Sequence, residues 1–84
     1  MNNPEPDQKD IDFVIAIFSK GQYQKALDEA LEIMKRSQQN AILHNITGAC
    51  YMQLGKLNSA VNSFNDAIII KPDYAKAHYN LGAA

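Results

Sequence analysis

The sequence predicts an all-α fold in which antiparallel helix pairs repeat along the chain, and three observations support that prediction. Apolar side chains recur three and four residues apart, the spacing of one helix face, with no strand-like alternation between them. Single glycines and a Lys-Pro-Asp sequence divide the chain into segments of about 10–15 residues, the length of ordinary helices. Glycine and histidine also recur 34 residues apart, at Gly21 and Gly55 and at His44 and His78.

Length and composition limit the chain to one small folded unit. It has 84 residues, of which 46% are hydrophobic and 20% charged, so it has enough apolar surface to fold and too little bias for a disordered chain. Its net charge of -1 leaves no basic surplus to hold a phosphate backbone or an anionic membrane. We therefore expect no nucleic acid and no membrane among its partners.

The amino-terminal residues indicate the compartment. Residues 1–10 contain three acids and a single lysine, whereas a secretory leader begins with basic residues and continues with an apolar stretch. Residues 1–6 are predicted to form a flexible tail. The longest apolar run, residues 14–18, is far shorter than the roughly 20 residues of a membrane-spanning helix. A cytoplasmic protein is the expectation.

The first two segments form the first predicted helix pair. Their apolar faces comprise Ile11, Val14, Ile15 and Phe18, then Tyr23, Ala26, Leu27, Ala30, Leu31 and Met34. Gly21 separates the two helices, because glycine tolerates the positive φ that ends one helix and lets the next fold back. Lys35 and Arg36 supply cations at the carboxyl end of the second helix, where the helix dipole favours them.

The third, fourth and fifth segments continue the series. Their apolar faces comprise Leu43, Ile46, Thr47, Cys50, Tyr51 and Leu54, then Leu57, Ala60, Val61, Phe64 and Ile68, then Tyr74, Ala77, His78 and Leu81. Asn40 is the predicted amino-terminal cap of the third helix, and Gly55 separates it from the fourth. Pro72 ends the fourth helix because proline lacks a backbone N–H. The fifth helix is predicted to begin at Asp73.

The 34-residue unit contains a recognisable sequence motif. Residues 41–74 read His44-x2-Thr47-Gly48-x2-Tyr51, then Ala60-x3-Phe64, Ala67 and Pro72. This pattern resembles the tetratricopeptide repeat (TPR), a unit of about 34 residues whose signature has Trp and Leu at the first two of these positions. Residues 78–82 restart the motif, whereas residues 7–40 match it only at Gly21 and Ala26.

The resemblance implies a helical repeat solenoid wound as a right-handed superhelix. Residues 7–40 would be a divergent first repeat, residues 41–74 a second, and residues 75–84 the first helix of a third. In such arrays the first helices line a concave face that binds a peptide or a partner protein, so we expect a non-catalytic interaction or scaffolding module. One alternative is an amino-terminal accessory or substrate-recruiting part of a larger enzyme, such as a glycosyl- or sulfotransferase. Another is a self-assembly module.

Candidate peptide-binding residues follow from the register of the resemblance. They are Asn45, Ile46, Ala49, Met52, Gln53, Lys76, Tyr79 and Asn80, with Gln8, Asp12, Ile15, Ser19, Ile42 and Ala83 on the same face. Side-chain amides can pair with the backbone of an extended peptide, and the aliphatic and aromatic members offer apolar contact. Only Lys76 and Asn80 match the polar set with which related domains bind a chaperone's carboxyl terminus, so we do not expect that ligand.

The divergent first repeat suggests compensating substitutions in the core. Where the second repeat has Gly48, Phe64 and Ala67, the first has Val14, Ala30 and Ile33. Two small sites have become larger and the one large site has become small, which keeps the total volume roughly constant. We interpret the difference as compensation between positions that pack together.

The sequence offers no catalytic, cofactor or metal site. His44 and His78, at equivalent positions of successive repeats, would be near 10 Å apart, too far for bonds of about 2 Å to one zinc ion. We expect both to pack in partly buried slots. Cys50 lies on an apolar face with no basic residue three or four positions away, which predicts a buried, inert thiol. Glu32 and Asp66 are expected on solvated faces.

Two features leave the chain's association open. Gln38 stands where the second repeat has proline, so a continuous helix over residues 31–54, with exchange of segments between chains, is an alternative. The chain also ends inside the third repeat, which is typical of a fragment of a longer array. Exposure of Tyr79 and Leu81 there predicts either fraying near residues 82–84 or a homodimer through this open repeat, which Leu81→Glu would weaken.

Overall fold

The computed structural model describes residues 5–37 and 39–84, and these residues form five α-helices and no strand. The helices are α1 (Gln8–Ser19), α2 (Tyr23–Arg36), α3 (Ala41–Gln53), α4 (Leu57–Ile70) and α5 (Ala75–Ala83). The predicted all-α class is confirmed. The expectations for residues 1–4 of the tail and for Gln38 lie outside the described residues.

The helices pack in series. Each one contacts the next along the chain, and α3 also contacts both α1 and α5. In the described part of the chain α2 and α4 do not pack on each other, so α3 is the central element of the array. The first helices of successive pairs therefore lie side by side, which is the arrangement expected of a repeat solenoid.

The two glycine turns have the same backbone geometry. Gly21 has φ +79° and Gly55 has φ +77°, the left-handed conformation that residues with a Cβ rarely adopt. After Gly55, the N–H of Lys56 donates to the carbonyl oxygen of Tyr51 at 2.8 Å. The N–H of Gln22 donates in the same way to the carbonyl oxygen of Ile17 at 3.3 Å. Both predicted turns are confirmed as the same helix-ending motif, at equivalent positions of the two repeats.

The connection between the two helix pairs is a break between α2 and α3, not the alternative of one continuous helix. Helix α2 ends at Arg36, Ser37 is extended with φ -130° and ψ 165°, and α3 begins at Ala41. Asn40 is confirmed as the cap, because its side-chain oxygen accepts hydrogen bonds from the N–H groups of Ile42 (2.8 Å) and Leu43 (3.3 Å). A continuous helix over residues 31–54 is therefore wrong.

Replacing Asn40 with alanine should lower the free energy of unfolding by about 1 kcal/mol, because α3 then loses the acceptor that satisfies two of its free N–H groups. Chemical denaturation measures the loss. The matched control is Asn62→Ala, at an exposed position inside α4, where alanine is the better helix former. Equal stability of the two variants would contradict a capping role for Asn40.

The predicted start of the fifth helix is wrong by two residues. The N–H of Tyr74 donates to the carbonyl oxygen of Lys71 at 3.0 Å, which closes a β-turn with Pro72 at its second position and Asp73 at its third. This is the turn position that proline favours, and the helix begins only after it, at Ala75.

The core supports the interpretation of compensating substitutions. Phe64 is fully buried, and an ideal Cβ on Gly48 would lie 2.6 Å from Cδ1 of its ring, so α3 and α4 meet where only glycine fits. In the first repeat Val14, Ala30 and Ile33 are all buried in one apolar cluster. The two repeats thus fill equivalent space with different residues.

Glu32 and Arg36 lie four residues apart on α2, a spacing that favours an ion pair on one helix face. In the structure Glu32 pairs with Lys35 at 3.1 Å. Arg36 reaches Asp10 on α1 at 3.6 Å, across the helix pair. Both pairs are largely exposed and so contribute little stability. Within the described ranges no helix has the length and apolarity needed to cross a membrane.

Candidate protein-binding groove

A groove of about 240 Å³ lies where α1, α3 and the start of α5 meet. We call it the α1–α3 groove, and the residues that line it are Ile15, Phe18, Ile42, Asn45, Ile46, Ala49, Tyr74 and Lys76. The groove is thus built from residues of the first helices α1, α3 and α5 and of the turn before α5. Six of the candidate residues come together here: Ile15, Ile42, Asn45, Ile46, Ala49 and Lys76.

The lining of the α1–α3 groove is mostly aliphatic. Ile15 is 43% exposed and Ile42 is 40% exposed, so two branched apolar side chains are open to a ligand. Ile46 and Ala49 are half-buried between them and the rest of α3. Among the described residues of the groove, Lys76 is the one that carries a charge, and it is exposed in the first turn of α5.

A second depression continues along α5. It is lined by Ala75, Lys76, Tyr79 and Asn80, so Lys76 belongs to both depressions and joins them. Tyr79 is 78% exposed, which leaves most of its ring free for contact. The structure does not bring Met52 and Gln53, the remaining candidates on α3, into either depression.

The two candidate asparagines are hydrogen-bonded to each other. Asn80 Nδ2 on α5 donates to Asn45 Oδ1 on α3 at 3.0 Å. Asn45 is only 9% exposed. Burial raises the pKa of the neighbouring Tyr74, and the Asn45 side chain acts in the opposite direction. The hydrogen bond from Asn80 means that the amide of Asn45 links α3 to α5. Direct contact of Asn45 with a peptide stays a prediction, whereas its positioning of α5 follows from these contacts.

Sequence reasoning placed Phe18 and Tyr74 only on packing faces and missed them as groove residues. Phe18 is half-buried, with its ring edge-on to Tyr23 at a centroid distance of 5.0 Å, and it also borders the groove. The signal was its position three residues after Ile15, which puts both on one side of α1. Tyr74 reaches the groove because the turn before α5 places it beside Asn45.

The two histidines have different surroundings. His44 is buried, its Nε2 is hydrogen-bonded to the side-chain oxygen of Gln39, and its Nδ1 lies 4.0 Å from Asp66 on α4. His78 is exposed, and its Nε2 donates to the carbonyl oxygen of Pro72 at 2.7 Å. The expectation of a partly buried slot is wrong for His78. His44 faces α4, the helix that follows its own, whereas no helix follows α5 among the described residues. Asp66 is exposed, as expected, and its carboxylate also faces His44.

The remaining titratable groups indicate structure rather than chemistry. Cys50 is fully buried, and burial raises the pKa of its thiol to about 11, which confirms the predicted buried thiol. In residues 5–37 and 39–84, no three His, Cys, Asp or Glu side chains are grouped so that they could hold a metal ion. Burial also lowers the pKa of His44 below its ordinary value near 6.5, although Asp66 acts in the opposite direction.

The lowered pKa of His44 predicts acid sensitivity. The unfolded chain takes up a proton near pH 6.5 while the folded chain still resists it, so the free energy of unfolding should fall as the pH drops below about 6.5 and be constant above it. Urea unfolding between pH 8 and pH 5 measures this. His44→Gln should remove the dependence and His78→Gln should keep it; the same slope in both variants would contradict the assignment.

Comparison with known proteins adds to this geometry. A family model described as TPR repeat matches residues 48–84. Heat shock protein STI1 of Saccharomyces cerevisiae is 33% identical over 72 residues, which cover 82% of this chain and 12% of that protein. Anaphase-promoting complex subunit 3 of Dictyostelium discoideum is 34% identical over 56 residues, which cover 67% of this chain and 6% of that protein. The chain spans a small part of each relative. No solved structure matches it significantly.

Proposed function

Because the chain belongs to the tetratricopeptide repeat family of protein–protein interaction modules, we propose that it binds an extended segment of a partner protein along the α1–α3 groove, without catalysis of its own. The observation that supports this most is the groove itself. Its walls come from three helices that are far apart in sequence, and two isoleucines on those walls are about two-fifths exposed.

The shape of the face favours a chain segment over a compact ligand. The α1–α3 groove and the depression along α5 share Lys76 and form one path across the molecule. An extended peptide can follow such a path and place successive side chains in both depressions. A scaffolding role agrees with the likeness to a relative that is, by its name, a subunit of a complex.

Site-resolved crosslinking tests the proposal. A photoreactive phenylalanine analogue placed at Ile42, in the groove, should crosslink to a partner protein. The same analogue at Ile69, which is 76% exposed on α4 and does not line the groove, should not give that product. Mass spectrometry of the crosslinked peptides identifies the bound segment. Equal crosslinking from both positions would contradict binding along the groove.

Self-association is a second candidate, favoured by the 78% exposure of Tyr79 on α5. Exposed aromatic side chains are typical of protein interfaces. Sedimentation velocity at rising concentration should then show a homodimer that Tyr79→Lys or Leu81→Glu weakens. Phe13→Lys, at a 51% exposed position on α1, is the control. A monomer at every concentration would remove this candidate.

A further inference from the structure

We propose that the α1–α3 groove takes one aliphatic side chain of the bound peptide, leucine, isoleucine or methionine, and that an acidic residue beside it in the peptide lies at Lys76. This inference rests on the proposed function and adds the chemistry of the ligand. It follows from the lining of the groove, its size and its single charge.

The lining selects an apolar side chain. Ile15 on α1 and Ile42 and Ile46 on α3 present aliphatic surface, and removing such surface from water is favourable. A polar side chain entering here would give up its water partners for few replacements, because most of the residues that line the groove are apolar. An aliphatic occupant has no such cost.

Ala49 provides part of the room. It stands at the position of the second repeat that is equivalent to Ile15 in the first, and its methyl group replaces the larger branched side chain. Ile15 and Ala49 both line the groove, so a large wall on α1 faces a small residue on α3. The space left by the smaller residue is where a ligand side chain fits.

The size of the groove suits one side chain of a peptide. Its volume is about 240 Å³, below the range of roughly 300–1,000 Å³ typical of small-molecule sites. The depression along α5 begins at Lys76 and gives the peptide backbone a way to continue. These dimensions accommodate an extended peptide with one side chain anchored in the α1–α3 groove.

The charge of the groove favours an acidic residue next to the aliphatic side chain of the peptide. Lys76 is exposed and borders both depressions, and no carboxylate is among the described residues that line either one. An acidic residue of the peptide is therefore attracted and a basic one repelled. An exposed ion pair changes affinity by only about two- to fivefold, so Lys76 sets a preference, and the aliphatic anchor supplies most of the affinity.

A random peptide library displayed on phage and selected against the whole chain tests the inference. Selected peptides should be enriched in leucine, isoleucine or methionine at one position and in aspartate or glutamate within two residues of it. The same selection against Lys76→Glu should replace the acidic preference with lysine and arginine. Selection that is unchanged by Lys76→Glu would overturn the role of Lys76.

Fluorescence anisotropy with the most enriched peptide tests the groove itself. Ile15→Lys and, separately, Ile42→Lys should weaken binding by at least about tenfold, because each puts a charge on the apolar wall. Ile69→Lys, on α4 outside the groove, should leave binding unchanged. Both groove positions are two-fifths exposed, so the variants are expected to fold, which circular dichroism checks.

The outcomes separate this inference from the function on which it rests. Selected peptides without an aliphatic residue, or with the same affinity for the Ile15→Lys and Ile42→Lys variants, would overturn this inference. The proposed function as a protein-binding module would then still stand. A change in sedimentation of the peptide-free chain on Ile15→Lys would show that a second copy fills the groove, which also overturns it. No selected peptide together with no crosslinking at Ile42 would overturn both.

Discussion

Replacing Gly48 with valine should destabilise the chain by about 3 kcal/mol, since overpacking a closed core forces side chains and backbone to shift. The Cβ of the new side chain would lie 2.6 Å from Cδ1 of Phe64 and 2.8 Å from its Cζ, closer than van der Waals contact allows. Phe64 is fully buried, so relieving the contact would require its neighbours in the core to shift. Guanidinium unfolding of the variant measures the loss.

Replacing Phe64 with alanine in the same chain should recover part of that loss. Alone, Phe64→Ala removes a buried ring and should cost about 3–5 kcal/mol. With Gly48→Val it recreates the pair that the first repeat already uses, Val14 with Ala30, both fully buried. We expect the double variant to be more stable than the sum of the single losses by about 1–3 kcal/mol.

Gly82→Ala is the matched control for Gly48. It also exchanges a glycine in a first helix, at the equivalent position of the next repeat, but a Cβ there meets nothing within 4 Å and the backbone φ is not positive. Alanine should therefore stabilise α5 by about 0.5–1 kcal/mol. Strictly additive losses in the Gly48 and Phe64 variants would mean that the two repeats do not fill their cores by compensation.

Replacing Asn45 with alanine should cost about 1–3 kcal/mol and loosen α5. The variant loses the bond from Asn80 Nδ2 and the packing of a side chain that is nine-tenths buried. Amide hydrogen exchange should show reduced protection in α5, with little change in α1 and α2. Denaturant unfolding gives the free energy.

A double-mutant cycle separates the amide pair from its neighbours. Asn80→Ala should cost less than Asn45→Ala, because Asn80 is half-exposed whereas Asn45 is nine-tenths buried. The double variant should cost less than the sum, with a coupling of at least about 0.5 kcal/mol. Asn62→Ala on α4 is the control. Faster exchange in α1 or α2, or no coupling, would contradict a local link between α3 and α5.

Much of the fold was accessible from the sequence because its signals are local. Gly21 and Gly55 indicate turns that require positive φ. Asn40 indicates a cap that needs only its own side chain and the N–H groups two and three residues later. Apolar spacing then fixes which face of each helix is buried. The start of α5 was misplaced because Pro72 allows both a helix start and a turn, and only the bond from Tyr74 to Lys71 distinguishes them.

The groove was less accessible because it depends on contacts between helices. The register placed Asn45, Ile46, Ala49 and Lys76 on one face, which the structure brings together. Register alone cannot show that Asn45 is already bonded to Asn80 on another helix. Nor does it show that Asp66 on α4 faces His44, since that distance is set by how closely the two helices pack.

The central position of α3 links ligand binding to the curvature of the molecule. Helices α1 and α5 do not touch each other in the described part of the chain, and α3 alone contacts both. A change in the angle between α1 and α5 would therefore alter the contacts of α3 with one or both of them. A ligand in the α1–α3 groove would contact residues of both ends, so binding would favour one arrangement of the two helices. By linkage, a partner that favours the same arrangement would raise the affinity of the groove, and one that favours another arrangement would lower it.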